Sequence, residues 1–212
     1  DTLSGGGGAD SLNGGAAADN MAGGAGNDTY VVTDVGDRVV ELAGAGIDLV
    51  LASISFSLGA NVEMLTLTGA ATLSGTGNAL DNLLTGNDGA NTLSGGDGAD
   101  SLAGGGGADS LIGGAGSDAF VFGPLGEAGD TVADFSVTED LILVSASAFG
   151  GGLPTGVLAP ELFTNGTAGA TTAADQRFVW DQAAQELWFD ANGNVNGATD
   201  AARIAIFTGG VT

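Results

Sequence analysis

The sequence predicts an all-β fold, a solenoid of short parallel strands stacked coil upon coil and closed at its C-terminal end by a β-rich cap. Three observations predict it. Segments of nine residues recur in two blocks, and self-similarity at a short fixed period marks an architecture of stacked units. Each copy carries one large apolar residue at the same place. Glycine, 41 of the 212 residues, fills the positions between, where its tolerance of positive φ permits tight turns and close backbone approach.

The first block, residues 1–31, aligns Gly5–Asn13 (GGGGADSLN), Gly14–Ala22 (GGAAADNMA) and Gly23–Val31 (GGAGNDTYV), with Asp1–Ser4 as the tail of another copy. In residues 32–76 the period loosens. Val32–Val40 carries Asp37 at the sixth place and Ala43–Leu51 carries Asp48. Ser53–Ser57 and Met64–Thr68 alternate apolar and polar residues as half-buried strands do, and Thr72–Ser74 reads as one more coil. The second block, residues 77–122, holds Gly77–Thr85, Gly86–Ser94, Gly95–Ala103, Gly104–Ile112 and Gly113–Val121. The common pattern is G-G-x-G-x-D-x-U-x. Its apolar place U is held by Leu3, Leu12, Met21, Tyr30, Leu84, Leu93, Leu102, Leu111 and Phe120.

This pattern resembles the RTX family of glycine- and aspartate-rich calcium-binding nonapeptide repeats. The resemblance implies a parallel β-roll, a right-handed β-solenoid, that binds several Ca2+ ions. It further implies the C-terminal region of a bacterial protein exported unfolded by type I secretion machinery, and therefore a secreted, extracellular location.

The residues themselves explain the metal. Six Gly-rich residues make a turn and three make a strand, so two nonapeptides complete one coil and a strand stacks on the one 18 residues earlier, at roughly 4.8 Å. Calcium takes oxygens at about 2.3–2.6 Å, so an ion between two stacked turns reaches both. Acids or amides 18 residues apart are Asp1/Asp19, Asp10/Asp28, Asn82/Asp100, Asn91/Asp109 and Asp100/Asp118. Backbone carbonyls, alternating up and down along an extended turn, complete the shell. Gly6 and Gly8 are assigned with Gly23 and Ala25, Asn87 and Gly89 with Gly104 and Gly106, and Gly96 and Gly98 with Gly113 and Ala115; Gly14 and Ala16 serve the Asp1/Asp19 pair. The resemblance implies the same division. Ala17 and Leu80 at the fourth place, and Asn82 and Asn91 at the sixth, depart from the pattern and predict weaker sites.

Each repeat buries one large side chain but orders nine residues of backbone, and stacked acids repel one another, so metal binding is expected to be part of folding. With two side-chain charges per ion, affinity is expected near about 10⁻⁴–10⁻³ M, as in extracellular modules.

The C-terminal region, residues 123–212, opens with Asp130-Thr-Val-Ala-Asp134-Phe135, which resembles the segment following the last repeat in RTX proteins; Asp130 and Asp134 are assigned to metal on that ground. Glu139–Leu143 matches more loosely and receives no ligand. Arg177–Asp181 and Glu186–Asp190 read as a hairpin and Arg203–Phe207 as a closing strand, with Trp180 and Trp188 in the cap core. Asp190–Asn194 reads as a turn, because Val195 and Ala201 stand where an EF-hand needs Gly and Glu.

Composition excludes other classes. Lys+Arg 3 against Asp+Glu 26 gives a net charge of -23, which a nucleic acid would repel. With neither Cys nor His, a disulfide, a serine triad, a Cys–His dyad and a typical zinc site each lose a necessary member, and the chain is not expected to be a catalyst. No stretch approaches the ~20 apolar residues that span a membrane, and the N-terminus lacks the regions of a signal peptide. Asp1 opens within a repeat, so the chain is expected to be a piece of a larger protein. Three roles fit: a calcium-folded export and stability module, a calcium-dependent adhesin or surface-layer element, and an accessory module of a polysaccharide-modifying enzyme.

Overall fold

A computed structural model describes residues 1–123, 129–145, 163–165, 178–190 and 201–208, and among them there is no helix. Strands alternate between two sides of a solenoid. On one side lie β1 (Thr2–Gly7), β3 (Asn20–Ala25), β5 (Arg38–Val40), β7 (Phe56–Ser57), β9 (Ser74–Thr76), β11 (Thr92–Asp97), β13 (Ser110–Ala115) and β15 (Asp130–Val132). On the other lie β2 (Ser11–Asn13), β4 (Thr29–Val32), β6 (Leu49–Ala52), β8 (Met64–Leu67), β10 (Leu83–Thr85), β12 (Ser101–Ala103), β14 (Ala119–Phe122) and β16 (Leu141–Val144). The second set forms one unbroken sheet of eight parallel strands from β2 to β16. The first is interrupted between β5 and β7.

The apolar place of the repeat sets the register. Leu12 pairs with Tyr30, Leu84 with Leu102, Leu102 with Phe120, and on the opposite side Leu3 with Met21 and Leu93 with Leu111. Alternation puts these side chains inside and their neighbours out, and Met21, Tyr30, Leu84, Leu93, Leu102, Leu111 and Phe120 are fully buried. The looser coils keep the rule: Val50 and Leu65 continue the column.

One coil departs from expectation. The strand lies at Ser74–Thr76, not at Thr72–Ser74, and the inward residue is Gly75, opposite Leu93. A Cβ there would stand 3.0 Å from methyls of both Leu65 and Leu93, so the two leucines fill the space that an apolar side chain occupies elsewhere. Of Ser53–Ser57, only Phe56–Ser57 is strand.

The cap adds to the solenoid rather than standing apart. β18 (Phe178–Asp181) and β19 (Glu186–Asp190) form the expected hairpin, β20 (Ala201–Phe207) pairs antiparallel with β19 and parallel with β15, and β17 (Phe163–Asn165) closes the edge. An edge-to-face ring contact joins the two parts, Phe135 lying 5.3 Å from Phe207, and within the cap Trp180 lies 5.4 Å from Phe207. Trp180 packs against the core as expected; Trp188 is half-buried and donates its indole N–H to Glu186 at 3.0 Å. Ala191–Asn194 lie outside the described residues.

Candidate metal sites

The sixth-position acid immediately precedes each strand, and stacking turns these acids into two ladders. Each uses one oxygen to accept the backbone N–H of the sixth-position residue one coil earlier. Asp10 N–H donates to Asp28 (2.7 Å), Asp28 N–H to Asp48 (2.7 Å), Asn82 N–H to Asp100 (2.7 Å) and Asp100 N–H to Asp118 (2.9 Å). In the other ladder Asp19 N–H donates to Asp37 (3.1 Å), Asn91 N–H to Asp109 (2.7 Å) and Asp109 N–H to Asp130 (2.9 Å). Oδ1 therefore fixes the carboxylate in the coil.

Oδ2 is the chemically informative atom. It is buried and lacks a hydrogen-bond partner in Asp10, Asp19, Asp28, Asp48, Asp100 and Asp109. A buried carboxylate oxygen with no donor costs free energy, and the same oxygen is what a hard cation binds. The first glycine of the repeat makes room for it: a Cβ on Gly104 would collide with the Asp109 carboxylate, and one on Gly14 with that of Asp19. Space under the acid, not positive φ, is thus what the first position requires; positive φ falls on the second and fourth positions, as in Gly96 (118°) and Gly98 (123°).

The carbonyls divide by position. Gly6 and Gly8 aim theirs at Gly24 and Gly26 of the next coil, and Gly96 and Gly98 at Gly114 and Gly116, whereas Gly104 and Gly113 aim back at Gly86 and Gly95. Two of the third-position carbonyls are engaged by backbone: Ala25 accepts from Gly8 N–H (2.7 Å) and Ala115 from Gly98 N–H (2.9 Å). The Asn87 carbonyl accepts from Gly106 N–H at 2.9 Å, and Gly89 lies against Ala71 and Gly107. Gly23 sits beneath Asp28, and Ala16 is exposed.

Five of the residues singled out in the sequence sit differently from the rest. The Asp1 side chain is exposed, and it is the α-ammonium of Asp1 that meets Asp19. Asp37 spends its second oxygen on Thr33 and Asp34 N–H, both at 3.0 Å, capping a shortened turn; burial alone would raise its pKa, but the amides of Asp34, Thr33 and Asp19 outweigh it and hold the carboxyl below its ordinary range. Asp134 stands outside both ladders, accepting Gly113 and Gly114 N–H at 2.9 Å each. Asn91 turns its amide inward, donating to Asn87 Oδ1 (3.0 Å) and Ala71 O (3.5 Å), and Asn82 donates to Val62 and Glu63 carbonyls (3.2 Å each). An amide N–H here donates to oxygens that a carboxylate in the same place would leave without a donor.

Three ladder or cluster members escaped the sequence reading. Asp140 accepts Asp118 N–H at 2.9 Å, and Glu63 accepts Asp48 N–H at 2.9 Å. Both precede an inward apolar residue by two places, as every repeat Asp does, and that spacing was the available signal. The third is Glu41, buried beside Asp28 and Asp48.

Burial pushes the Asp100 carboxyl up to about 6; Asn82 N–H opposes this, and the Asp118 and Asp81 carboxylates add to it. Burial likewise raises Asp109, Asp118 and Asp48, the last also through Glu41, Glu63 and Asp28. Because the folded pKa of Asp100 exceeds its ordinary 3.8, the stabilisation from its protonated form is complete below 3.8 and lost as pH rises through about 6, above which the charged carboxylate is the form that a cation would stabilise. The midpoint of a calcium titration followed by dichroism is therefore expected to move to higher calcium as pH falls from 7 to 5. A pH-independent midpoint would contradict this assignment.

Comparison with family models matches four copies of the RTX calcium-binding nonapeptide repeat, over residues 1–30, 76–111 and 85–120. No curated protein matches the chain.

Proposed function

We propose that this chain, whose residues 1–30 and 76–120 carry RTX calcium-binding nonapeptide repeats, is a non-catalytic β-roll that folds as it takes up several calcium ions outside the cell, supporting type I secretion and the stability of a larger secreted protein. The observation that supports it most is the set of buried Oδ2 atoms without donors, on Asp10, Asp19, Asp28, Asp48, Asp100 and Asp109. Without cations these oxygens oppose the fold, and with cations they hold one coil to the next. The division of the chain into a first block (1–31), looser coils (32–76), a second block (77–122) and a capping region (123–212) follows from the same reading: the strict repeats supply most of the carboxylate rungs, whereas the looser coils add Asp37, Asp48 and Glu63, rely on apolar packing, and offer carbonyls to the asparagine amides of the second block.

Weak binding is what gives the module direction. A chain with affinity near about 10⁻⁴–10⁻³ M remains unfolded where calcium is scarce and folds where it is plentiful, so folding on the far side of an export channel opposes return. Calorimetric titration of the whole chain tests the reading. Saturable binding of several calcium ions in that range, with heat far exceeding that of a preformed site, is expected; absence of saturable binding up to 10-fold higher calcium overturns it.

A further inference from the structure

We propose that Asp28, Glu41 and Asp48 form a hard-cation site of their own, tighter than the repeat sites and placed at the seam where the first repeat block meets the looser coils. One carboxylate oxygen from each lies within 4.8 Å of the others. All three residues are buried, with 1%, 7% and 0% of their surface exposed. Asp28 and Asp48 each spend Oδ1 on a ladder amide and present an Oδ2 that has no partner. These two oxygens, not the acidity of the cluster, are what point to a ligand.

Glu41 stands 18 residues after Gly23, at the place where a strict repeat has its first glycine. It is held rather than free to swing: Tyr30 donates its hydroxyl to Glu41 Oε1 and accepts Gly23 N–H at 2.6 Å. A Cβ on Gly23 would collide with Asp28 Oδ2, Tyr30 Oη and Glu41 Oε1 together. Three side chains from two successive coils thus converge on one point that only glycine leaves open. The ion pairs among the described residues, Asp1 N-terminus–Asp19 and Arg203–Glu186, leave this cluster without a cationic partner.

The ladder elsewhere offers two acids per ion, and this seam offers three. Oxygen donors at this charge select calcium-sized hard cations, and a third buried carboxylate raises affinity and favours a trivalent ion over a divalent one. Because the coil step here is 20 residues instead of 18, the ion also ties down the point where the repeat loses its register. The inference deepens the calcium-module reading and rests on it for Asp28.

Terbium, a trivalent ion of calcium's coordination chemistry, is the probe, and Tyr30, the single tyrosine of the chain, is a sensitiser built into the site. Titration of the whole chain should show a first, tight phase of terbium emission. Glu41→Gln, which keeps an acceptor for Tyr30, is expected to weaken that phase at least 10-fold, and Asp48→Asn, which keeps the acceptor for Asp28 N–H, should do the same. Tyr30→Phe should retain the tight phase by competition with calcium but lose most of its emission. Asp100→Asn should leave it unchanged while removing a weaker calcium phase. A tight phase untouched by both Glu41→Gln and Asp48→Asn, with calcium binding otherwise intact, overturns this site alone. A chain that binds neither ion overturns the calcium-module reading as well.

Discussion

Asp109→Ala is expected to lower calcium affinity at its rung by more than tenfold and to flatten the cooperativity of the whole titration. Asp109 joins three coils: it accepts Asn91 N–H (2.7 Å), donates its own N–H to Asp130 (2.9 Å), and keeps Oδ2 buried without a partner. Alanine removes the oxygen offered to the ion and leaves Asn91 N–H buried and unpaired, a further cost of about 1–3 kcal/mol. Asp109→Asn separates the two effects, because it keeps an acceptor for Asn91 while removing the charge. It should lose about tenfold or more in calcium affinity, equivalent to about 1.4 kcal/mol, with less loss of stability at saturating calcium. Asp97, exposed at a third position, is the control, and Asp97→Ala should leave the calcium titration unchanged. Calorimetry on the three variants reads all of this. Equal calcium binding by Asp109→Asn and the unsubstituted chain would remove Asp109 from the metal sites.

The largest effect on stability is expected from Phe120→Ala. Phe120 is fully buried, lies in register between Leu102 and Ile142, and packs its ring 6.1 Å from that of Phe135. Truncating a buried phenylalanine costs about 3–5 kcal/mol. In a stack where each coil touches only its neighbours, that loss is felt locally before it is felt globally. At saturating calcium, amide exchange should accelerate first in β13 to β16, while β1 to β4 keep their protection. Uniform loss of protection along the chain would contradict the coil-by-coil account.

The sequence made the stack legible because two features coincide in every strict copy. An inward apolar residue and an acid two places before it fix both strand register and ladder position, and Leu102 with Asp100 or Leu111 with Asp109 could be placed from spacing alone. Asp48 was reached by its sixth place in a weak copy of the repeat, and Asp130 by the resemblance of Asp130–Phe135 to the segment that follows the last repeat. The spacing of acid and apolar residue would have reached Asp140 and Glu63 too, had the motif been followed beyond the glycine pattern. Glu41 was not legible. It has no counterpart in the repeat, and its role arises only when Gly23, 18 residues earlier, is stacked beneath it. Gly75 was hidden for a related reason, since an inward glycine carries no hydropathy signal and its tolerance depends on the side chains of Leu65 and Leu93. The amides of Asn82 and Asn91 show a third limit: residue type indicated a weaker ligand, but only the positions of the neighbouring oxygens show where each amide donates.

The central claim is that calcium binding and folding of this chain are one process. Far-ultraviolet circular dichroism of the whole chain, recorded in chelator and then in millimolar calcium, tests it most directly. The account predicts a largely disordered spectrum in chelator that converts cooperatively and reversibly to a β spectrum on calcium addition. A chelated chain that keeps its full β signal would contradict it.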